Sequence, residues 1–142
     1  MKSVHITRQP IDPAQVLASV ADKEAGGAVL FVGTIRRRSG RKIVEELSYE
    51  VYREMAERRM HKIEARVKKR WPVVKIAMVH RYGHLEVGEV SVAVAISCEH
   101  RAEAFEACRH AIDSIKSELP MWKKERFKGG SQTWVKGAPI ES

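Results

Sequence analysis

VSVAVAISCEHRAEAFEACRHAIDSIKSELPMW, residues 90–122, holds two periodicities back to back. Val90 to Ile96 is an apolar, β-favouring run that stops at Ser97, the pattern of a buried strand. A few residues on, Phe105, Cys108, Ile112, Ile115 and Leu119 recur at steps of three or four, the stripe of an amphipathic helix. That helix is predicted over Arg101 to Leu119, with Pro120 as its stop. His100 and Arg101 stand at the junction, where a strand hands over to a helix.

Outward from this stretch, strands and helices mix without a strict strand–helix–strand repeat. Val4 to Thr7 reads as a short strand, and Asp12-Pro13 as the start of a helix over Ala14 to Asp22. Gly26-Gly27 breaks that pattern. Ala28 to Ile35 is a second near-continuous β-favouring run, and Gly33 inside it marks a bulge or a close approach by another group. Arg36 to Lys42 reads as a basic loop around Ser39-Gly40, and Ile43 to Glu50 as a strand. Tyr52, Ala56, Met60, Ile63, Val67 and Trp71 define a long helix ended by Pro72. Val73 to His80 is strand-like, and turn signals at Tyr82-Gly83-His84 and Val87-Gly88-Glu89 bracket a short segment. Met121 to Phe127 reads as extended, Gly129-Gly130 as a turn, and Gln132 to Val135 as a last strand. The mixture predicts an α+β fold, a mainly antiparallel sheet with two long helices. No repeat or linker divides the chain, so residues 1–142 read as a single domain.

Composition narrows the function classes. Apolar residues make up 44% and charged residues 31% of the chain, ordinary for a soluble globular protein. No apolar run approaches the roughly 20 residues that span a membrane, and MKSVHITRQP lacks the apolar centre of a signal peptide. A cytoplasmic protein is expected. Cys98 and Cys108 lack CxxC spacing and read as reduced thiols, not as zinc ligands or a disulfide. The net charge of +8 favours an anionic partner. Arg36, Arg37, Arg38, Arg41 and Lys42 form one basic cluster; Arg66, Lys68, Lys69 and Arg70 form a second; Lys123, Lys124, Arg126 and Lys128 form a third. Aromatics are only 6% of the chain, so these patches lack the stacking platforms of single-strand nucleic-acid binders. There is no P-loop, GxGxxG, HExxH or Ser-His-Asp spacing.

Three places hold candidate chemistry. On the helix after residue 100, each residue turns about 100°, so from Phe105 Arg101 falls near about −40° and Lys116 near about +20°. Both point toward the predicted apolar face. A lysine against an apolar wall loses hydration, its pKa falls, and its neutral amine becomes available as nucleophile or base. The alternative is a lysine that snorkels to water near the helix C-terminus. At the other end, free backbone N–H groups beside Arg101 and His100 favour an anion, and the guanidinium fork suits phosphate. The alternative is a helix capped by Glu99 or Ser97. Arg101 and Lys116 are about 22 Å apart along the axis, too far for one small substrate. A shared site would need two copies of the helix meeting antiparallel across a dimer interface. In LPMWKKERFKGG, residues 119–130, Met121-Trp122 supplies an apolar anchor that holds Lys123 in place; a solvated basic strand is the alternative. In FVGTIRRR, residues 31–38, Arg36 comes directly off a buried strand, against the alternative of a solvated loop. His80 and His84 flank a turn and read as structural or surface residues, because they lack a third ligand.

Five segments in order carry a resemblance: GAVLFVGTIR (27–36), LSYEVYREMAE (47–57), RWPVVKIAMVHRYGHLEVGE (70–89), SVAVAISCEHRAEAFEA (91–107) and AIDSIKSELPMWKKE (111–125). From about residue 26 to Trp134 the chain resembles the large, catalytic subunit of molybdopterin synthase. The resemblance implies an α/β hammerhead-type fold and a sulfurtransferase of molybdenum cofactor biosynthesis. The reaction it implies inserts two sulfurs into cyclic pyranopterin monophosphate, giving molybdopterin. The sulfur comes from the C-terminal Gly-Gly thiocarboxylate of a small ubiquitin-like sulfur-carrier subunit, whose tail enters a pocket on the large subunit. The implied assembly is a heterotetramer around a homodimer of large subunits, with no metal or other cofactor and no nucleic-acid or membrane partner. By position, the essential lysines fall on Lys116 and Lys123. Phosphate and pterin contacts fall on Arg36, His100 and Arg101, with Thr34, Ile35, Lys124 and Glu125 beside them. The His100-Arg101 pair is implied to complete the neighbouring large subunit's site. One departure stands out: some relatives carry an Arg a few residues after the last Trp, where this chain has Ala138, with Lys136 the nearest cation.

Overall fold

β7 (Val90–Cys98) is buried along almost its whole length in the computed structural model, which describes residues 1–130 and 132–136. Val92, Val94, Ile96 and Cys98 face one core, while Ala93 and Ala95 face another. A strand covered on both faces has to be apolar throughout, which is why the run reads as continuous. β7 pairs antiparallel with β2 (Gly27–Thr34) on one side and β5 (Val73–Arg81) on the other. β1 (Val4–Thr7) adds parallel to β5, completing a four-stranded sheet in the order β1-β5-β7-β2. The alanine-rich face of this sheet takes the short helix α1 (Pro13–Ser19) through Val16 and Val20. Asp12 caps α1 by accepting the Ala14 N–H at 3.0 Å. The opposite face takes α2 (Arg53–Arg70) and α3 (Arg101–Glu118).

A second sheet is built on β4 (Lys42–Val51). Along one edge it pairs with β8 (Met121–Phe127), and along the other with β3 (Arg38–Ser39) and β6 (Gly83–Glu86). β9 (Gln132–Lys136) pairs with β8, and every pairing in this sheet is antiparallel. Leu47, Tyr49, Leu85 and Met121 from this sheet join the same core as Met78, Val94 and the two long helices. The α+β class stands, but the strands divide into two sheets, and the β1–β5 pair is parallel. The stretch read as a basic loop also contains β3, turning at Gly40 with φ 62°.

Both helical stripes need correction at one end. Phe105 and Tyr52 are each 61% exposed. The buried residues of α3 are Ala104, Ala107, Cys108, Ala111, Ile112, Ser114 and Ile115, centred about 90° from Phe105 on the helical wheel. Small alanines let α3 lie close on the sheet, and that contact sets the helix rotation in place of the largest apolar side chain. Tyr52 precedes α2 as its N-cap residue, its ring edge-on to Trp122 at 5.0 Å.

Two glycines set how tightly β2 packs. At Gly33 a β-carbon would lie 2.6 Å from Val92 Cγ1, and the register shifts between Gly33 and Thr34, so the close approach and the bulge coincide. At Gly26 a β-carbon would lie 2.2 Å from the carbonyl oxygen of Glu99. The Gly26 N–H donates to the Cys98 carbonyl at 3.0 Å, which ties the two chains together there. Gly26→Ala is therefore expected to cost about 1–3 kcal/mol by overpacking, read as a lowered midpoint in thermal or urea unfolding; an unchanged midpoint would show that the contact yields freely.

Candidate functional site

A cavity of about 290 Å³ opens between the end of β2, the last turn of α3 and the second sheet. Its wall gathers cations. Lys116 sits on the flank of the α3 stripe, with Nζ 5.9 Å from the centroid of the Phe31 ring. Burial pushes the Lys116 pKa below the ordinary lysine value; the positive charges of Arg36 and Lys123 act in the same direction, while Asp113 opposes them. That is the direction expected of an amine held against an apolar wall.

Lys123 comes from β8, where side chains alternate between faces. Met121, Lys123, Glu125 and Phe127 share the inner face, so Lys123 and Glu125 are carried into the cavity wall. They form an ion pair of 3.0 Å with side chains only 11% and 6% exposed. Lys124, one position out of phase, does not line the cavity. Arg36 is the second residue beyond β2. The preceding Ile35 is pinned by backbone hydrogen bonds, its N–H to the Glu89 carbonyl at 3.0 Å and its carbonyl from the Gly88 N–H at 2.8 Å. Arg36 itself is exposed at the cavity mouth.

His100 and Arg101 are exposed and lie at the opposite end of α3, outside the cavity. The alternative of a cap by Glu99 or Ser97 does not form: His100 is the N-cap residue and makes no side-chain capping bond. Ser97 Oγ instead accepts the Lys75 N–H at 3.2 Å, and Glu99 pairs with His100 at 3.6 Å. Of the residues singled out in the sequence, Thr34, Ile35, Arg36, Lys116, Lys123 and Glu125 meet in one cavity. His100, Arg101 and Lys124 do not. Ala138 and the side chain of Lys136 lie outside the described residues.

The sequence reading missed three buried polar residues of the cavity wall: Tyr49, His80 and Ser91. The signal was the strand period. His80 continues the inward series Ile76, Met78 on β5, and Tyr49 continues Leu47 on β4. Of the two readings, structural or surface, His80 takes the structural one, as a buried residue of β5. Its Nδ1 donates to the Arg81 carbonyl at 2.8 Å, and its ring stands edge-on to Tyr49 at 5.3 Å. Burial pushes its pKa down to about 4, with the Lys116 charge acting in the same direction. Burial raises the Tyr49 pKa, against a hydrogen bond with Ser91. Cys98 and Cys108 are free and buried, and burial pushes both thiols up. Among the described residues no three His, Cys, Asp or Glu side chains are grouped to hold a metal ion, and no helix is long and apolar enough to cross a membrane.

Comparison with known proteins gives the arrangement a context. The family described as "MoaE protein" matches residues 6–118. The chain is 42% identical over 134 residues to the molybdopterin synthase catalytic subunit of Nostoc sp., covering 94% of this chain and 81% of that protein. The crystal structure of molybdopterin synthase from Staphylococcus aureus superposes with a TM-score of 0.89 at 33% identity, over 95% of this chain and 98% of that one. A protein–protein complex of subunits 1 and 2 of molybdopterin-converting factor from Helicobacter pylori contains the same fold, with a TM-score of 0.78 at 21% identity over 98% and 95% of the two chains. By sequence and by fold, the chain belongs to the MoaE protein family, the catalytic subunits of the enzyme molybdopterin synthase.

Proposed function

We propose that this chain converts cyclic pyranopterin monophosphate to molybdopterin, taking sulfur from the C-terminal thiocarboxylate of a small ubiquitin-like partner subunit. The observation that carries the reading is the cavity in which Lys116, Lys123 and Arg36 converge. A thiocarboxylate and a phosphate are both anions, and cations preorganised around them hold the reacting groups together and stabilise the charge that develops. Arg36 holds the substrate at the mouth. Lys116 polarises the carbonyl or shuttles protons as sulfur attacks the pterin side chain, and Lys123 stabilises charge on the intermediate. The partner's Gly-Gly tail enters the cavity, with Thr34, Ile35 and Glu125 beside the substrate.

His100 and Arg101 act on this reading in a second copy's site. Their exposure, and a helix about 25 Å long between them and the cavity end, support a dimer of large subunits inside a heterotetramer. A small-subunit partner is supported by the two-subunit complex of the Helicobacter pylori neighbour. Residues 1–142 then act as one domain in the cytoplasm, where buried thiols such as Cys98 and Cys108 stay reduced.

The test is reconstitution. The purified chain, a thiocarboxylated small subunit and cyclic pyranopterin monophosphate are mixed and molybdopterin is measured. Product that requires the thiocarboxylate supports the reading. A stable complex with no product reduces the chain to a binding scaffold. If neither product nor complex forms, the reading is overturned, and salt-sensitive RNA binding becomes the next measurement.

A further inference from the structure

Tyr49, His80 and Ser91 line the cavity but have no part in the sulfur-transfer scheme above. Tyr49 and Ser91 hydrogen-bond with each other, and Ser91 Oγ donates to the Gly33 carbonyl at 3.3 Å, so this pair is satisfied within the protein. His80 is different. Its Nδ1 proton goes to the Arg81 carbonyl at 2.8 Å, and the Tyr49 ring stands edge-on at 5.3 Å. These contacts set the tautomer and the ring plane, and Nε2 is then the acceptor nitrogen of the imidazole. The cationic side chains of the cavity wall, Arg36, Arg38, Lys116 and Lys123, are donors with no acceptor capacity. Among the described residues the one carboxylate in that wall, Glu125, is engaged by Lys123 at 3.0 Å. Burial and the Lys116 charge keep the ring neutral down to about pH 4, so Nε2 retains its lone pair at neutral pH.

We propose that His80 is a specificity residue of this cavity, accepting through Nε2 a hydrogen bond from an N–H or O–H of the pterin. The inference rests on the synthase reading. A phosphorylated pterin brings acceptor oxygens, which the cations answer, and ring or amino N–H groups, which they cannot. A neutral acceptor fixed among cations answers those N–H groups. A site built to hydrogen-bond such a group discriminates against an analogue that lacks it.

Two substitutions separate the acceptor from the fold. His80→Asn keeps a donor for the Arg81 carbonyl and removes the acceptor at the Nε2 position. His80→Gln reaches further and restores an acceptor there. In the reconstituted complex, His80→Asn is expected to raise KM for the pterin about 3–10-fold, the weight of one neutral hydrogen bond. KM for the thiocarboxylated partner and kcat stay near parental, and His80→Gln recovers most of the loss. An unchanged pterin KM in a folded His80→Asn variant overturns the proposal. So does a fall in kcat with pterin KM unchanged, because His80 would then act through Lys116. A readout without substitution covers the case in which the variants fail to fold. The ¹⁵N resonance of His80 Nε2 in the parent chain is expected to move upfield on adding the pterin and to stay put on adding inorganic phosphate; no movement with the pterin overturns the proposal. A parent that makes no molybdopterin sinks the synthase reading itself, and that result is distinct from a silent His80 in an active parent.

Discussion

Lys116→Ala is expected to lower kcat by about 10²–10⁴-fold, the range for removing a positioned proton-transfer group, while thiocarboxylated partner still binds. The fold is expected to survive, because Lys116 sits on the flank of the buried face of α3 and alanine is the best helix former. Turnover within about twofold of the parent, a difference far below that range, would remove Lys116 from the chemistry. Lys116→Arg then separates two roles. Arginine keeps the charge but does not titrate in the working range, so activity in this variant assigns an electrostatic role and inactivity assigns proton transfer. The pH profile gives the sign. The Lys116 pKa is lowered from 10.5, so its neutral amine is reached at lower pH than for an ordinary lysine. If the neutral amine works, kcat rises with pH along a limb centred below 10.5. Removing a neighbouring positive charge with Arg36→Met is expected to move that limb upward.

Lys123→Met is the second large effect, and it acts on stability as well as on rate. Lys123 and Glu125 are an ion pair of 3.0 Å with side chains 11% and 6% exposed. Removing the lysine leaves a carboxylate buried without its partner, a change that costs about 3–5 kcal/mol. For a chain of this length that lowers Tm by roughly 10 °C or more. Activity is expected to be lost with it. Lys123→Met with Glu125→Leu replaces both partners by apolar groups and is expected to restore most of the stability, since substituting a whole buried pair is often neutral. If the double variant regains its melting temperature and stays inactive, the Lys123–Glu125 pair has a chemical role beyond its contribution to the fold. If Lys123→Met melts like the parent, the pair is too well solvated to matter to the fold.

Most of the elements were legible in the sequence because each repeats over a distance longer than its own noise. The period of β7 and the four-residue steps of α3 are local properties, and Pro72 and Pro120 end helices for local steric reasons. Lys123 was legible, because it follows an apolar anchor; Lys116 was singled out by its angle from Phe105, which is exposed, and it reaches the cavity from the flank of the buried face. His80 was not legible as a residue of the cavity. The strand period turns it inward with Ile76 and Met78, but its place in the cavity depends on how β5 packs near the end of α3, which no local pattern carries. Nor did the sequence show that Phe105 is exposed, because the rotation of α3 is set by alanines meeting the sheet.

The sequence by itself determined the element types, the α+β class and the excess of positive charge, all of which follow from local sterics, periodicity and composition. The tertiary structure alone decided the division into two sheets and which cations share a cavity. It also decided that Lys123 is paired with Glu125 and that His80 is buried in the wall of that cavity. These depend on which faces meet across long sequence separations, where burial changes what a charge costs and what a nitrogen can do.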